Sequence, residues 1–361
     1  MRFLKSWKFW LSISVSALFI YLFLRSTDLS EIGHEMAQAD WLLVAMNIAL
    51  LFPLLYLRGY RWKLLVKPIK DVRAWILFES TCIGFATNNI LPARMGELAK
   101  AYYLGKRGGL PVTKSFSSVV TERLYDTFTL FGMVIVLLFF YEFPWFDQVF
   151  TKPILAGTRF EFTPTQESLK LIMAVGYVAG LAFTIGVLWG LKRRTEQTIR
   201  VLLWPLKPFS QRLRDKLAEL LRHFIGGFVH PTKPLEVFLL LLTSVLLWVF
   251  SVFVVHASVA AFDVLLDFRQ ASFVLVAVIF AIMIPASPGY VGTYHYAVGI
   301  SLVAVTAMTA VPVTPEKAAG IAVVVHAVNY LPQTLSGLFF MAKAGIGISD
   351  ISHAPEETES E

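Results

Sequence analysis

The chain is poor in cysteine and in charge. Cys82 is the single thiol in 361 residues, which excludes an internal disulfide and any zinc site built from cysteines. It lies in an apolar run and reads as an inert buried thiol. Charged residues make up 16% of the chain against 56% hydrophobic, and the mean hydropathy is +0.64. A soluble protein of this length needs a far more polar exterior. An HExxH pair, a Ser nucleophile elbow, a Walker A loop and a dinucleotide fingerprint are all missing from the sequence. No metal or cofactor site is therefore legible.

What is present is a series of apolar runs, several near the roughly 20 residues that span a bilayer. They fall near 9–24, 41–57, 116–141, 169–191, 235–261 and 318–342. Two further regions, 75–104 and 271–308, are apolar but interrupted by Pro and Gly. The expected fold is an all-α polytopic membrane protein. Arg2, Lys5 and Lys8 precede the first run with no small-residue cleavage site after it, the pattern of an uncleaved signal anchor.

The charges order these runs. Basic clusters hold Arg58, Arg61, Lys63, Lys67, Lys70 and Arg73, then Lys100, Lys106, Arg107 and Lys114, then the stretch from Lys192 to Arg222. Acidic loops alternate with them: Asp28 to Asp40, Glu142 to Glu167, and Asp263 with Asp267. By the positive-inside rule the basic loops and both termini are cytoplasmic, in a cell (inner) membrane. Basic residues placed this way orient a membrane protein, so nucleic acid is not an expected partner. The alternation holds only if each interrupted region is a re-entrant hairpin or a pair of short spans. The expected organisation is one transmembrane domain over 1–345 and an acidic disordered tail over 346–361. A cytoplasmic connector at 192–234 contains "RLRDKLAELLRHF", with Leu213, Leu217, Leu220, Leu221 and Phe224 on one helical face. That pattern fits an amphipathic helix on an anionic leaflet.

The interrupted regions share Pro-Ala-x-x-Gly: Pro92, Ala93 and Gly96, then Pro285, Ala286 and Gly289, with Pro288 beside the last. Each copy lies between two full spans, and charge places the halves, about 41–141 and 235–342, in opposite orientation. The expectation is an inverted repeat, a recurrent transporter architecture. Breaking a helix inside the membrane leaves peptide groups that only protein or a wet cavity satisfies. The N–H groups at the start of the next half-helix then suit an anion.

Polar residues crowd the first break: Asn88, Asn89, Arg94, Glu97 and Lys100, with Glu122, Arg123 and Asp126 entering the next span. A charge at the centre of a span costs roughly 2.5–3.5 kcal/mol on insertion scales. These groups must pair, face water or reach an interface. Arg94 and Arg123 carry the planar forks that bind phosphate, and a structural ion-pair cluster is the competing reading. Ser287, Tyr294 and His295 adjoin the second break and complete the candidate headgroup-binding set.

"LPARMGELAKAYYLGKRGGLPVTKSFSSVVTERLYDTFTL" and "IPASPGYVGTYHYAVGISL" resemble the lysylphosphatidylglycerol synthase transmembrane-region family, flippase-like membrane proteins, over roughly 10–342. The elements that carry the resemblance are Pro-Ala-Arg-x-Gly-Glu, Glu-Arg-x-x-Asp (Glu122, Arg123, Asp126) and Pro-x-Ser-Pro-Gly. The resemblance implies transfer of aminoacylated phospholipid between leaflets, or work on polyprenyl-linked and other glycolipids. The chain ends near its last span, so synthesis of an aminoacyl lipid is not expected of it. Three functions compete: a lipid flippase, a membrane-embedded transferase using a lipid-linked donor, and a non-catalytic partner of a lipid-modifying enzyme. Membrane lipids are the expected partners in all three, and the first reading involves no catalytic residue.

Overall fold

A computed structural model describes residues 7–25, 27–91, 95–140, 165–206, 210–228, 231–284, 288–307, 309, 311–347 and 350. Among these there are helices and connections but no strand. The chain divides into two compact units, 1–122 with 227–361 and 123–226.

The helices are α1 (Trp7–Leu24), α2 (Leu29–Ala37), α3 (Trp41–Val66), α4 (Ala74–Ile90), α5 (Gly96–Gly108), α6 (Val112–Phe140), α7 (Gln166–Arg193), α8 (Thr195–Leu202), α9 (Gln211–Gly226), α10 (Pro234–Ala260), α11 (Phe268–Met283), α12 (Thr293–Thr306) and α13 (Pro315–Ala344). Among the described residues, five helices are long and apolar enough to cross a membrane: α3, α6, α7 from Lys170, α10 and α13. A sixth arises if α1 and α2, bent by 80°, form one broken span. Each of the six expected runs lies within one of the described helices or overruns it by a single residue. The chain is an all-α polytopic membrane protein.

Local chemistry fixes the helix starts. The Asp40 carboxylate accepts from the Leu42 and Leu43 amides at 2.9 and 3.1 Å, and Asp267 caps α11 reciprocally with Gln270. Such caps satisfy donors that a helix N-terminus otherwise strands. Asp28 caps α2 in the same way, so the stretch expected as an acidic loop contains a helix, packed on α13.

Both interrupted regions begin alike. Leu91 ends α4 at φ −98°, ψ 145°, and Ile284 ends α11 at φ −65°, ψ 131°. Each precedes a proline, whose ring pushes the preceding residue out of the helical region. Pro92, Ala93 and Arg94, and Pro285, Ala286 and Ser287, lie outside the described residues.

Pairings across the first break define a hairpin. Tyr103 meets Glu79, the Lys100 carbonyl meets Ser80, and Gly96 lies on Gly84. One number falls as the other rises, so α4 and α5 run antiparallel. A Cβ on Gly96 would collide with the Gly84 carbonyl and the Asn88 amide. In the second hairpin, Gln270 at the start of α11 reaches the Val305 carbonyl at the end of α12 at 3.0 Å, with the break midway.

Between the halves, α3 and α10 also run antiparallel. Asn47 donates to the Val254 carbonyl and to Ser258, and Lys67 pairs with Glu236 at 2.6 Å. Helix α4 lies antiparallel to α13, through Asn89 with Thr334, Cys82 with Gly337, and Glu79 with Lys343. Cys82 is buried, as its apolar run predicts.

In the second unit, α9 packs on α7 and α8. Arg222 grips Glu196 with two hydrogen bonds of 2.7 and 2.9 Å. That contact holds the Glu196 carboxyl below its ordinary range. A carboxylate with a lowered pKa contributes above its unfolded value and loses the contribution as pH falls through the folded one. Spin labels at Thr198→Cys and Leu221→Cys in a Cys82→Ser background should therefore keep their separation down through the ordinary glutamate range and widen only as pH falls below it. With Glu196→Gln added, the separation should no longer depend on pH.

Candidate functional site

One carboxylate gathers two buried cations in the first unit. Glu122 of α6 accepts from Arg61 Nη2 of α3 at 3.3 Å and from Lys100 Nζ of α5. All three side chains are buried. Lys100 Nζ also lies 4.1 Å from the centre of the Trp62 ring, a cation–π contact that strengthens where water is excluded. Trp62 Nε1 donates to Ser118 Oγ at 3.0 Å, and Ser118 back-bonds to the Ser115 carbonyl. Three helices are thus held together by ionised groups in a chain with few of them.

A second buried carboxylate sits nearby on α4. Glu79 accepts from Tyr103 Oη at 2.7 Å and Trp75 Nε1 at 3.0 Å. The half-exposed Lys343 reaches it at 3.5 Å. Its aromatic neighbours Trp75, Phe78 and Phe340 contact one another through their rings.

Residues that flank the two breaks lie together. Asn88 Oδ1 accepts from the Gly96 amide at 2.7 Å, closing the first break on itself. Asn89 donates to Thr334 Oγ1 of α13 at 2.8 Å. At the second break Pro288 opens a short 3-10 turn, 288–290, which packs against α4. Gly289 has φ +73°, Gly292 φ +92°, and Tyr290 φ +57° without a glycine's freedom. A Cβ on Gly289 would lie 3.5 Å from the Asn89 carbonyl and would strike Tyr330.

Two histidines pin this second break. The Gly292 amide donates to His295 Nδ1 at 3.3 Å. His295 Nε2 must then carry the proton facing His326 Nδ1, 3.2 Å away. His326 Nε2–H in turn donates to the Gly289 carbonyl at 2.9 Å. The network fixes both tautomers. Tyr294 lies over His326 at a ring separation of 4.7 Å and accepts from Asn329.

The structure therefore brings Lys100 and Glu122 into one cluster, and Asn88, Asn89, Gly96, Pro288, Gly289, Tyr294 and His295 into another. Glu97 occupies the first turn of α5, where its charge suits the helix dipole. Arg123 and Asp126 pair at 3.4 Å in the second unit, with the Arg123 side chain 43% exposed. Arg94, Ser287, Pro92 and Pro285 lie outside the described residues. Arg61 corrects the sequence reading: it falls inside α3 and is buried, not in a basic loop, because α3 continues to Val66. Glu79, Trp62, Tyr330 and Thr334 were not singled out by the sequence. Among the described residues no group of three or more His, Cys, Asp or Glu is arranged to hold a metal ion.

Long apolar helices, two hairpins broken ahead of prolines, and ionised side chains buried between helices define a multi-pass membrane protein with a polar interior. The chain belongs to the lysylphosphatidylglycerol synthase transmembrane-region family, which it matches over residues 9–337. It is 26% identical over 339 residues to a protein of Haloferax volcanii named glycosyltransferase AglD, covering 89% of this chain and 52% of that one. It is 31% identical over 111 residues to a UPF0104 membrane protein of Methanothermobacter thermautotrophicus, covering 30% of this chain and 33% of the relative. It is 30% identical over 125 residues to the UPF0104 membrane protein MJ1595 of Methanocaldococcus jannaschii, covering 32% and 37%. These matches span about half, or about a third, of the relatives' own lengths. No solved structure matches the chain.

Proposed function

We propose that the protein binds a phosphate-bearing lipid and moves its headgroup across the membrane, as a flippase or scramblase. The observation that carries this reading is the buried cluster of Arg61, Lys100 and Glu122. Lys100 stands on the helix that restarts after the first break, so the cluster and the break form one structural feature. Two cations sharing one carboxylate offer donors to an anionic headgroup, which competes with Glu122 for them. The cost of burying such charges argues for a use beyond packing.

The inverted repeat belongs to the same proposal. Its support is the antiparallel course of α3 and α10, the corresponding helices of the two halves. Helices related by a twofold axis in the membrane plane run in opposite senses. The two hairpins are then re-entrant from opposite faces and meet at Asn89 and Gly289. Both termini are cytoplasmic in this arrangement, which the basic loops support.

A membrane-embedded transferase is the second reading, favoured by the name of the Haloferax relative and its match over most of this chain. Purified protein in liposomes separates the two. A fluorescent anionic phospholipid should exchange between leaflets faster than in empty liposomes, with no new lipid species formed. Glu122→Gln, which keeps the shape and removes the charge, should slow exchange by roughly 10-fold or more. Exchange at the empty-liposome rate, or the appearance of a lipid product, defeats the transport reading.

A further inference from the structure

The net charge of the chain is concentrated in one place. Residues 192–226 carry nine Lys and Arg against three Asp and Glu, +6 of the chain's +7. The sequence places the apolar partner of this charge on the Leu213, Leu217, Leu220, Leu221 and Phe224 face of α9. The structure adds a second apolar patch. Helix α9 packs on α7 and α8, with Leu217, Leu220, Leu221 and Phe224 half-buried and Ile225 buried. The most open apolar side chains among the connector's described residues are Val201, Leu202 and Trp204, at 71%, 54% and 63% exposure, against 41% for Leu213 of α9. They occupy the end of α8 and the 3-10 turn after it.

The exposed cations Arg193, Arg194, Arg200 and Arg212 lie on the same segment. Arg193 sits 4.9 Å from the Trp189 ring, itself exposed in the last turns of α7, where a tryptophan anchors a span at the headgroup level. Helix α8 starts two residues after α7 ends. Six further residues of helix carry the chain roughly 9 Å to Val201. That reach is comparable to the headgroup zone, about 5–8 Å on each side of the hydrocarbon.

We propose that Val201, Leu202 and Trp204, flanked by these arginines, dock on an anionic phospholipid surface beside the end of α7. Apolar side chains leave water there while the guanidinium groups stay with lipid phosphates. The site is separate from the Glu122 cluster and stands whether or not the protein transports lipid.

The full chain, with Cys82→Ser and an environment-sensitive fluorophore on Leu202→Cys, tests this in nanodiscs of phosphatidylcholine with and without phosphatidylglycerol. Emission should shift to the blue only with phosphatidylglycerol and revert in high salt. A label on Leu217→Cys should not respond. Arg200→Gln with Arg212→Gln should weaken the phosphatidylglycerol-dependent state by roughly 30-fold. Hydrogen exchange over 200–206 in the unaltered protein gives the same answer without a label: slower exchange in the anionic lipid. Equal emission and equal exchange in both lipids overturn the proposal. So does a response at 217 without one at 202, or a shift that follows protein concentration, which marks a second copy as the occupant.

Discussion

Glu122→Ala should cost about 3–5 kcal/mol, because it removes the carboxylate that Arg61 and Lys100 share in the interior. Breaking one member of a buried ionic cluster leaves the opposite charges without that counter-ion in a site that water does not fill. The measurement is the fraction of detergent-extracted protein that stays monodisperse on heating. Arg61→Met, Lys100→Met and Glu122→Met combined should recover most of the loss, since an apolar cluster of similar volume avoids the desolvation cost. The same triple variant should not restore lipid exchange in liposomes. Recovery of both would make the cluster a packing device; wild-type stability in Glu122→Ala would mean that water reaches the two cations.

Gly96→Ala should also be damaging, although it adds one methyl group. That methyl would collide with the Gly84 carbonyl, the facing backbone of the hairpin, and with the Asn88 amide that holds the Gly96 N–H. Backbone cannot rotate away, so the arms must separate and the Asn88 bond must lengthen. Overpacking and the lost hydrogen bond together cost about 2–5 kcal/mol. Gly84→Ala should be milder, because its Cβ would lie 3.1 Å from the Gly96 carbonyl. Thermal stability of the two variants in detergent should rank Gly96→Ala well below Gly84→Ala. Equal values would show that the arms part without cost.

The spans were legible because hydropathy reads composition along the chain, and α1, α3, α6, α7, α10 and α13 are long apolar runs. The breaks were legible because Pro and Gly act locally: Leu91 and Ile284 are extended for a reason contained in the next residue. The cluster was only half legible. Glu122 and Lys100 stood out as charges inside apolar stretches. Arg61 did not, because it follows the apolar run of α3 among other cations. Its burial depends on Glu122, 61 residues away, which no local pattern records. Glu79 was missed for the same reason, since Tyr103 and Lys343 that satisfy it come from other helices. In the connector, packing on neighbouring helices modifies the periodic stripe: Leu217, Leu220, Leu221 and Phe224 of α9 are half-buried, while Leu213 stays exposed.

His326, Tyr330 and Thr334 follow one another at intervals of four, so they share one face of α13. His326 holds the Gly289 carbonyl of the second break, Tyr330 lies against Gly289, and Thr334 holds Asn89 at the first. Both breaks are thereby geared to a single shaft. Turning α13 by one residue's worth, about 100°, would disengage both contacts in the same movement. Neither break can be released alone by a rotation of α13, and Pro332, set between Tyr330 and Thr334, brings no amide hydrogen to the helix at that point.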